Sequence, residues 1–298
     1  MALTIQWIKK NKSSMKLSEE CFKKVKKDCF KFIKSQETST EKFGNKEGMI
    51  KNFLIPICFW IAKKADNKKP YFVGLAGGQG TGKTTISSII KIVLEKYFKL
   101  KVFKISIDDF YKTREERFNL SKKIHPMLMT RGVPGTHDVK IMLDFFKKSK
   151  SKNFKSIKLP SFNKAVDDRF PKKNWYNIKE RTDVIIFEGW CVGAKSELNK
   201  TLKRPINSLE KVNDQKLIWR KYVNQQLKRK YKKLYSQLSC LVYLKAKNFS
   251  LLQKWRLKQE HKLWLNTKNK SSHKIMSKGD VINFMQTYQR ITQNMFKF

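Results

Sequence analysis

Hydrophobic positions change their spacing along the chain, and each change marks an element. Between residues 84 and 98, Ile86, Ile89, Ile90, Val93, Leu94 and Tyr97 recur at i, i+3, i+4, i+7, i+8 and i+11. That spacing covers one face of a helix, predicted over Thr84–Phe98. Shorter apolar runs at Tyr71–Leu75, Lys101–Ile107, Asp183–Phe187 and Cys240–Leu244 read as buried strands. Helical stretches such as Val139–Lys148 and Leu217–Leu234 lie between them. Strands alternating with helices predict an α/β fold, a parallel sheet with helices on both faces. Before Pro70 the pattern is different. Ile5, Ile8, Leu17, Cys21, Phe22 and Val25 fall at roughly helical spacing in a Lys-rich stretch, Thr38–Gly48 is a polar loop, and Met49–Lys64 is a second helix. Residues 1–69 are therefore expected to form a Lys-rich helical region packing on a main domain of residues 70–298. No internal repeat is present.

The turn after the first strand carries the most specific chemistry. Gly77-Gly78-Gln79-Gly80-Thr81-Gly82-Lys83-Thr84 fits G-x-x-x-x-G-K-[ST], the phosphate-binding loop. Glycines let backbone N–H groups turn inward around phosphates, Lys83 reaches the β and γ oxygens, and the Thr84 hydroxyl suits Mg²⁺. The following helix aims its N-terminal N–H groups, Thr85 among them, at the same anion. Residue frequencies alone would produce this pattern about 0.01 times in such a chain. A nucleoside triphosphate, with Mg²⁺, is the expected ligand.

Ligands of doubly wound sheets sit beyond the carboxyl ends of the strands. Asp108 and Asp109 follow the second strand, where a carboxylate accepts the proton of an attacking hydroxyl or holds Mg²⁺. An Asp there also caps a helix, and the sequence does not divide the two roles between the pair. Asp183–Phe187 runs into Glu188, an apolar strand ending in a carboxylate that would orient Mg²⁺. Arg131-Gly-Val-Pro-Gly-Thr-His137-Asp138 reads as a tight loop with Asp138 near a helix cap. A lone His such as His137 is more often structural than catalytic.

Composition changes this picture less than its size suggests. The chain has 298 residues, with 67 Lys plus Arg against 24 Asp plus Glu and a formal net charge of +43. Such a charge suggests nucleic acid as partner. Only 10 of the 67 are Arg, whereas selected phosphate and base contacts favour Arg's planar fork. The charge is read as a solvated surface, and nucleic-acid binding is not expected. A P-loop ATPase acting on nucleic acid remains the alternative of a different class. It would be supported by interleaved Lys and aromatics in Trp219–Tyr235. The longest apolar run, Phe53–Ala62, is too short to span a bilayer and is broken by Pro56. Cys21, Cys29, Cys58, Cys191 and Cys240 are scattered without a CxxC pair, so neither a disulfide framework nor a zinc site is indicated. With no apolar leader at the start, a reduced cytoplasm is the expected location.

In this order, GLAGGQGTGKTT, SIDDFY, RGVPGTHD, LPSFNK with the later Asp168-Arg169, IIFEGWCVG and WRLKQEH resemble the D-glycerate 3-kinases. These are P-loop kinases related to uridine kinase, pantothenate kinase and phosphoribulokinase. The segments Pro205–Glu210 and Trp219–Asn224 look like the bacterial and cyanobacterial branch. The resemblance runs from about residue 70 to the end. The strongly basic run Lys195–Lys233 carries apolar and aromatic residues at helical spacing and is expected to be a folded insertion, at about 195–236. The resemblance implies a lid at about 250–275. It implies transfer of the ATP γ-phosphoryl group to the primary hydroxyl of D-glycerate, a small carboxylate. Gly77 to Thr85 would bind the ATP phosphates, Asp108 would be the base, and Thr84, Asp109 and Glu188 would serve Mg²⁺. Tyr111, Arg131, His137, Asp138, Lys164 and Arg169 would line the acceptor side. Arg256 looks like the lid arginine that closes over the phosphoryl group. The family has Asp where this chain has Asn163, and Asn cannot accept a proton as a carboxylate does. A related kinase for another small hydroxyl acceptor is the nearest alternative.

Overall fold

The computed structural model describes residues 12–37, 42–66, 70–267 and 276–297. Ile5, Ile8, part of the predicted loop (38–41) and part of the predicted lid (268–275) lie outside them. The strands, in chain order, are β1 (Tyr71–Gly77), β2 (Val102–Ser106), β3 (Ile157–Leu159), β4 (Phe162–Asn163), β5 (Asp168–Arg169), β6 (Tyr176–Ile178), β7 (Val184–Gly189) and β8 (Cys240–Leu244). A four-stranded sheet runs β2-β7-β1-β8, and every neighbouring pair is parallel. β3 with β6, and β4 with β5, form small antiparallel ladders outside it.

Apolar runs without polar alternation need cover on both faces, and they have it. Phe72, Ile105, Ile185 and Phe187 face one layer, which includes Phe145 and Phe146. Those two belong to helix α5 (Val139–Ser149). Tyr71, Val73, Leu75, Val184 and Ile186 face the other layer. There α3 (Lys83–Lys96) buries Ile86, Ile89, Ile90, Val93 and Leu94, the face expected from the spacing. Against the same cluster pack Cys21, Phe22, Val25, Cys29 and Ile33 of α1 (Lys12–Gln36) and Cys58 and Ile61 of α2 (Ile55–Ala65). α4 (Arg114–Lys123) lies between β2 and α5.

The boundaries differ from the expectation where tertiary pairing continues or breaks an element. β1 extends two residues beyond Leu75 because it is flanked on both sides and its ladder with β8 runs on to Gly77 opposite Leu244. The predicted helix Leu217–Leu234 is divided: α6 (Ile218–Gln226), a wide π-turn (Leu227–Tyr231) and one further turn (Lys232–Tyr235). The polar stretch ending at Gly48 is already helical from Lys46, because the Asn45 side chain accepts from the Gly48 N–H and caps the turn.

The final helices complete the wall around the loops: α7 (Phe249–Thr267) and α8 (Lys278–Met295). A buried ionic network holds α8 in place. Arg220 of α6 bonds Asp214 at 2.8 Å and lies 3.4 Å from Glu210, while Arg290 of α8 reaches both oxygens of Glu210 at 2.7 Å. Arg220, Asp214 and Glu210 are all at least 97% buried. Removing one member of such a network leaves charge uncompensated in the interior. Arg220→Met is therefore expected to cost about 3 kcal/mol of unfolding free energy, read by urea denaturation. A loss below 1 kcal/mol would show that the network is dispensable.

Candidate active site

The sheet order brings the ends of β1, β7 and β2 side by side, so their three loops share one edge. The loop after β1 takes its shape from glycines at positive φ. Gly80 is at φ +81°, and a Cβ there would lie 2.5 Å from Cβ of Trp255. Gly82, at φ +78°, precedes the first turn of α3. Lys83 Nζ donates to the Gly78 carbonyl at 2.8 Å, and Thr81 Oγ1 does the same at 2.8 Å. The Lys83 ammonium has its pKa lowered by burial, against the opposing pull of Asp108 and Glu188.

Glu188, at the end of β7, accepts from Ser87 Oγ at 2.8 Å and from Thr84 Oγ1 at 3.4 Å. It is 7% exposed, so its carboxylate is held against the first turn of α3 beside the phosphate loop. After β2, Ser106 caps a short turn, and the adjacent Asp108 and Asp109 part company. Asp108 accepts from Tyr111 Oη at 3.0 Å and from Lys164 Nζ at 2.7 Å. Burial alone would push its carboxyl up, but Lys164, His137 and Tyr111 together hold it below the usual value. Asp109 instead accepts from two backbone amides, those of Ser106 and Phe162, each at 3.4 Å. Burial raises its pKa to about 6, further than those amides lower it. The pair thus differs in its surroundings: Asp108 is bonded by the Tyr111 and Lys164 side chains, while Asp109, also bonded by Tyr176, ties β2 to β4 through the two amides.

One cavity of about 380 Å³ unites Lys83, Thr84, Asp108, Asp109, Tyr111, Arg131, Lys164, Glu188 and Arg256, with Gln79 and Gly80 of the loop. Of the other expected residues, Gly77 ends β1, Gly78, Thr81 and Gly82 build the loop, and Thr85 lies in the first turn of α3. His137, Asp138 and Arg169 do not line this cavity. His137 is 2% exposed, stacks on the Tyr111 ring at 4.5 Å and contacts Tyr231 Oη through Nδ1 at 2.7 Å. Asp138 caps α5 by accepting from the Ile141 N–H. Arg169 donates to the Tyr111 carbonyl at 2.7 Å and lies 3.5 Å from Asp138. These three stand behind Tyr111 and support it. Arg131 pairs with Asp167 and lies over the Phe162 ring. Asn163 accepts from the Ala165 N–H at 3.0 Å and shapes a turn. Trp190, Phe284, Tyr288, Gln259 and Ser106 complete the cavity wall. The motif spacing pointed to none of the α8 residues, because only the return of α8 across the loops brings them there.

Burial makes His137 an acid-sensitive element, with its pKa lowered to about 4. A folded-state value below the unfolded one means that the unfolded chain binds more protons between about pH 6.5 and 4. Stability falls as pH falls through that window. Asp109, raised to about 6, acts in the opposite sense over an overlapping range. The difference between wild type and His137→Gln isolates the histidine. Urea unfolding should show the wild type's advantage shrinking by about 2 kcal/mol from pH 7 to pH 5. A constant difference would mean that the imidazole titrates normally.

The chain is 31% identical over 228 residues to the uncharacterized kinase mug58 of Schizosaccharomyces pombe, covering 74% of this chain and 79% of that one. The chain belongs to this family of P-loop kinases. It is 28% identical over 227 residues to the chloroplastic D-glycerate 3-kinase of Arabidopsis thaliana, covering 70% of this chain and 47% of the plant protein. This kinase therefore spans about half the length of that relative. Its fold matches the structure of D-glycerate 3-kinase from Cryptococcus neoformans with a TM-score of 0.67 at 24% identity, over 82% of this chain and 88% of the other. No family model matches the chain. The kinase is an ATP-dependent, small-molecule phosphotransferase, and a nucleic-acid-associated ATPase is not favoured. Among the described residues no helix is long and apolar enough to cross a membrane.

Proposed function

We propose that the kinase transfers the γ-phosphoryl group of ATP to the primary hydroxyl of D-glycerate, giving 3-phosphoglycerate and ADP. The observation that carries this reading is Asp108, which faces the phosphate loop in the same cavity as Arg131, Lys164 and Tyr111. An acceptor carboxylate would sit against the Arg131 and Lys164 cations, which places its hydroxyl near Asp108. The hydroxyl oxygen attacks phosphorus, its proton passes to the Asp108 carboxylate, and the bond to the ADP oxygen breaks. Lys83 would stabilise charge on the phosphate oxygens from one side. Arg256, 2.7 Å from Glu260 one turn later in α7, would reach them from the lid.

Thr84 and Glu188 would hold Mg²⁺. A hydroxyl and one carboxylate beside a phosphate loop suit a metal that keeps waters and takes its remaining ligands from phosphate. Bound there, the ion would neutralise charge on the β and γ oxygens.

The test is ADP release by the full chain with Mg·ATP and D-glycerate, beside L-glycerate, uridine, pantothenate and polynucleotide. Turnover dependent on D-glycerate is expected. Turnover driven by uridine, pantothenate or polynucleotide, with none on D-glycerate, would overturn the acceptor assignment.

A further inference from the structure

A second cleft, of about 630 Å³, lies along the phosphate loop and shares Gly80, Lys83, Thr84 and Gln259 with the transfer cavity. Neither Asp108, Glu188, Arg131, Lys164 nor Arg256 lines it. Beyond the loop, its walls come from two distant parts of the chain: Gln36 at the end of α1 with Lys42 and Phe43, and Trp255, Lys258 and Gln259 of α7. No acidic side chain among the described residues lines it. Two aromatic rings beside ammonium groups suit the base and phosphates of a nucleotide. A triphosphate whose γ end meets Asp108 must extend its nucleoside along the loop to the side away from that carboxylate.

The segment holding Phe43 is anchored. Glu37 accepts the Phe43 N–H at 2.7 Å and pairs with the Lys46 ammonium at 2.8 Å. Glu37 follows α1, whose Cys29 and Ile33 are fully buried in the same cluster as α3. A side chain fixed to such a framework is pre-organised for a ligand.

We propose that the N-terminal region is a wall of the nucleotide site, with Phe43 stacking on the purine base and Glu37 as its positioning residue. This rests on the chain's use of ATP and is independent of the acceptor. The test uses the full chain without any acceptor, comparing Mg·ATP with inorganic tripolyphosphate by calorimetry. Phe43→Ala should weaken ATP binding by roughly tenfold, since stacking is the lost contact. Its affinity for tripolyphosphate should stay within twofold of wild type, and Phe43→Trp should retain ATP affinity. Glu37→Gln should weaken ATP binding and spare tripolyphosphate. Unchanged ATP affinity in Phe43→Ala, or an equal loss for both ligands, would overturn the proposal. A second measurement needs no variant. Photolysis of 8-azido-ATP on the wild-type protein should label the peptide containing Phe43, and label confined to other segments would overturn it. Either result stands whether or not D-glycerate is phosphorylated.

Discussion

Exchange of Asp108 for Asn is expected to lower kcat by about 10³-fold while leaving Mg·ATP affinity within a few-fold of wild type. The substitution keeps the shape of the side chain and its hydrogen bond from Tyr111, and removes the only property the reaction needs, an available proton acceptor. Among the described residues that line the cavity, the other carboxylates are engaged elsewhere. Glu188 is engaged by Ser87 and Thr84, and Asp109 by two backbone amides. The pH dependence follows from the same surroundings. A carboxyl held below its usual value stays ionised through mild acid, so activity that requires the ionised form is lost only as pH falls through that depressed value. The wild-type rate should therefore show no acid limb from Asp108 above about pH 5. Single-turnover transfer separates this chemical step from binding. A variant within tenfold of wild type would remove Asp108 from the reaction.

Arg256→Ala should produce a loss of similar size, about 10³-fold in kcat, for a different reason. Its guanidinium carries a fixed charge on a helix that rests on the phosphate loop: Trp255 packs on Gly80, and Leu252 lies where a Cβ of Gly78 would be. Glu260 holds that guanidinium and also accepts from the Met276 N–H at 2.9 Å, so one carboxylate sets both the side chain and the approach to α8. The transition state spreads charge over three equatorial oxygens, which a planar fork matches better than an ammonium. Arg256→Lys should therefore recover only part of the rate. Initial rates at saturating ATP and acceptor, with nucleotide affinity measured separately, provide the check. A kcat within tenfold of wild type in the Ala variant would place Arg256 outside the transfer step.

Legibility in the sequence tracked how local each constraint was. The helix over α3 was readable because burial repeats with the 3.6-residue turn, and the strands because two covered faces demand uninterrupted apolar runs. The split of the predicted helix Leu217–Leu234 was not. The π-turn carries Tyr231, whose hydroxyl meets Gly135 and His137, residues far away in the chain. The cavity side chains contributed by α8 were equally invisible, since Phe284 and Tyr288 lie on an amphipathic helix with no motif of their own. His137 and Arg169 sit in motifs, yet they pack behind Tyr111. A motif identifies residues that act together without saying which of them touches the ligand.

The local pattern was enough to predict a parallel sheet, a loop suited to a triphosphate, and carboxylates at the ends of neighbouring strands. Backbone periodicity and the contiguous spacing of a phosphate loop are short-range requirements, satisfied or violated within a few residues. The packing of distant segments set the rest: within one cavity Asp108 bonds Tyr111 and Lys164 while Asp109 also bonds backbone amides, Asn163 shapes a turn, and Phe43 stands beside the phosphate loop. Those outcomes depend on which side chains are buried together. That is set by the strand order β2-β7-β1-β8 and by the packing of α1, α7 and α8 over it. Energies of that kind are summed across the whole fold, so no local stretch of sequence displays them.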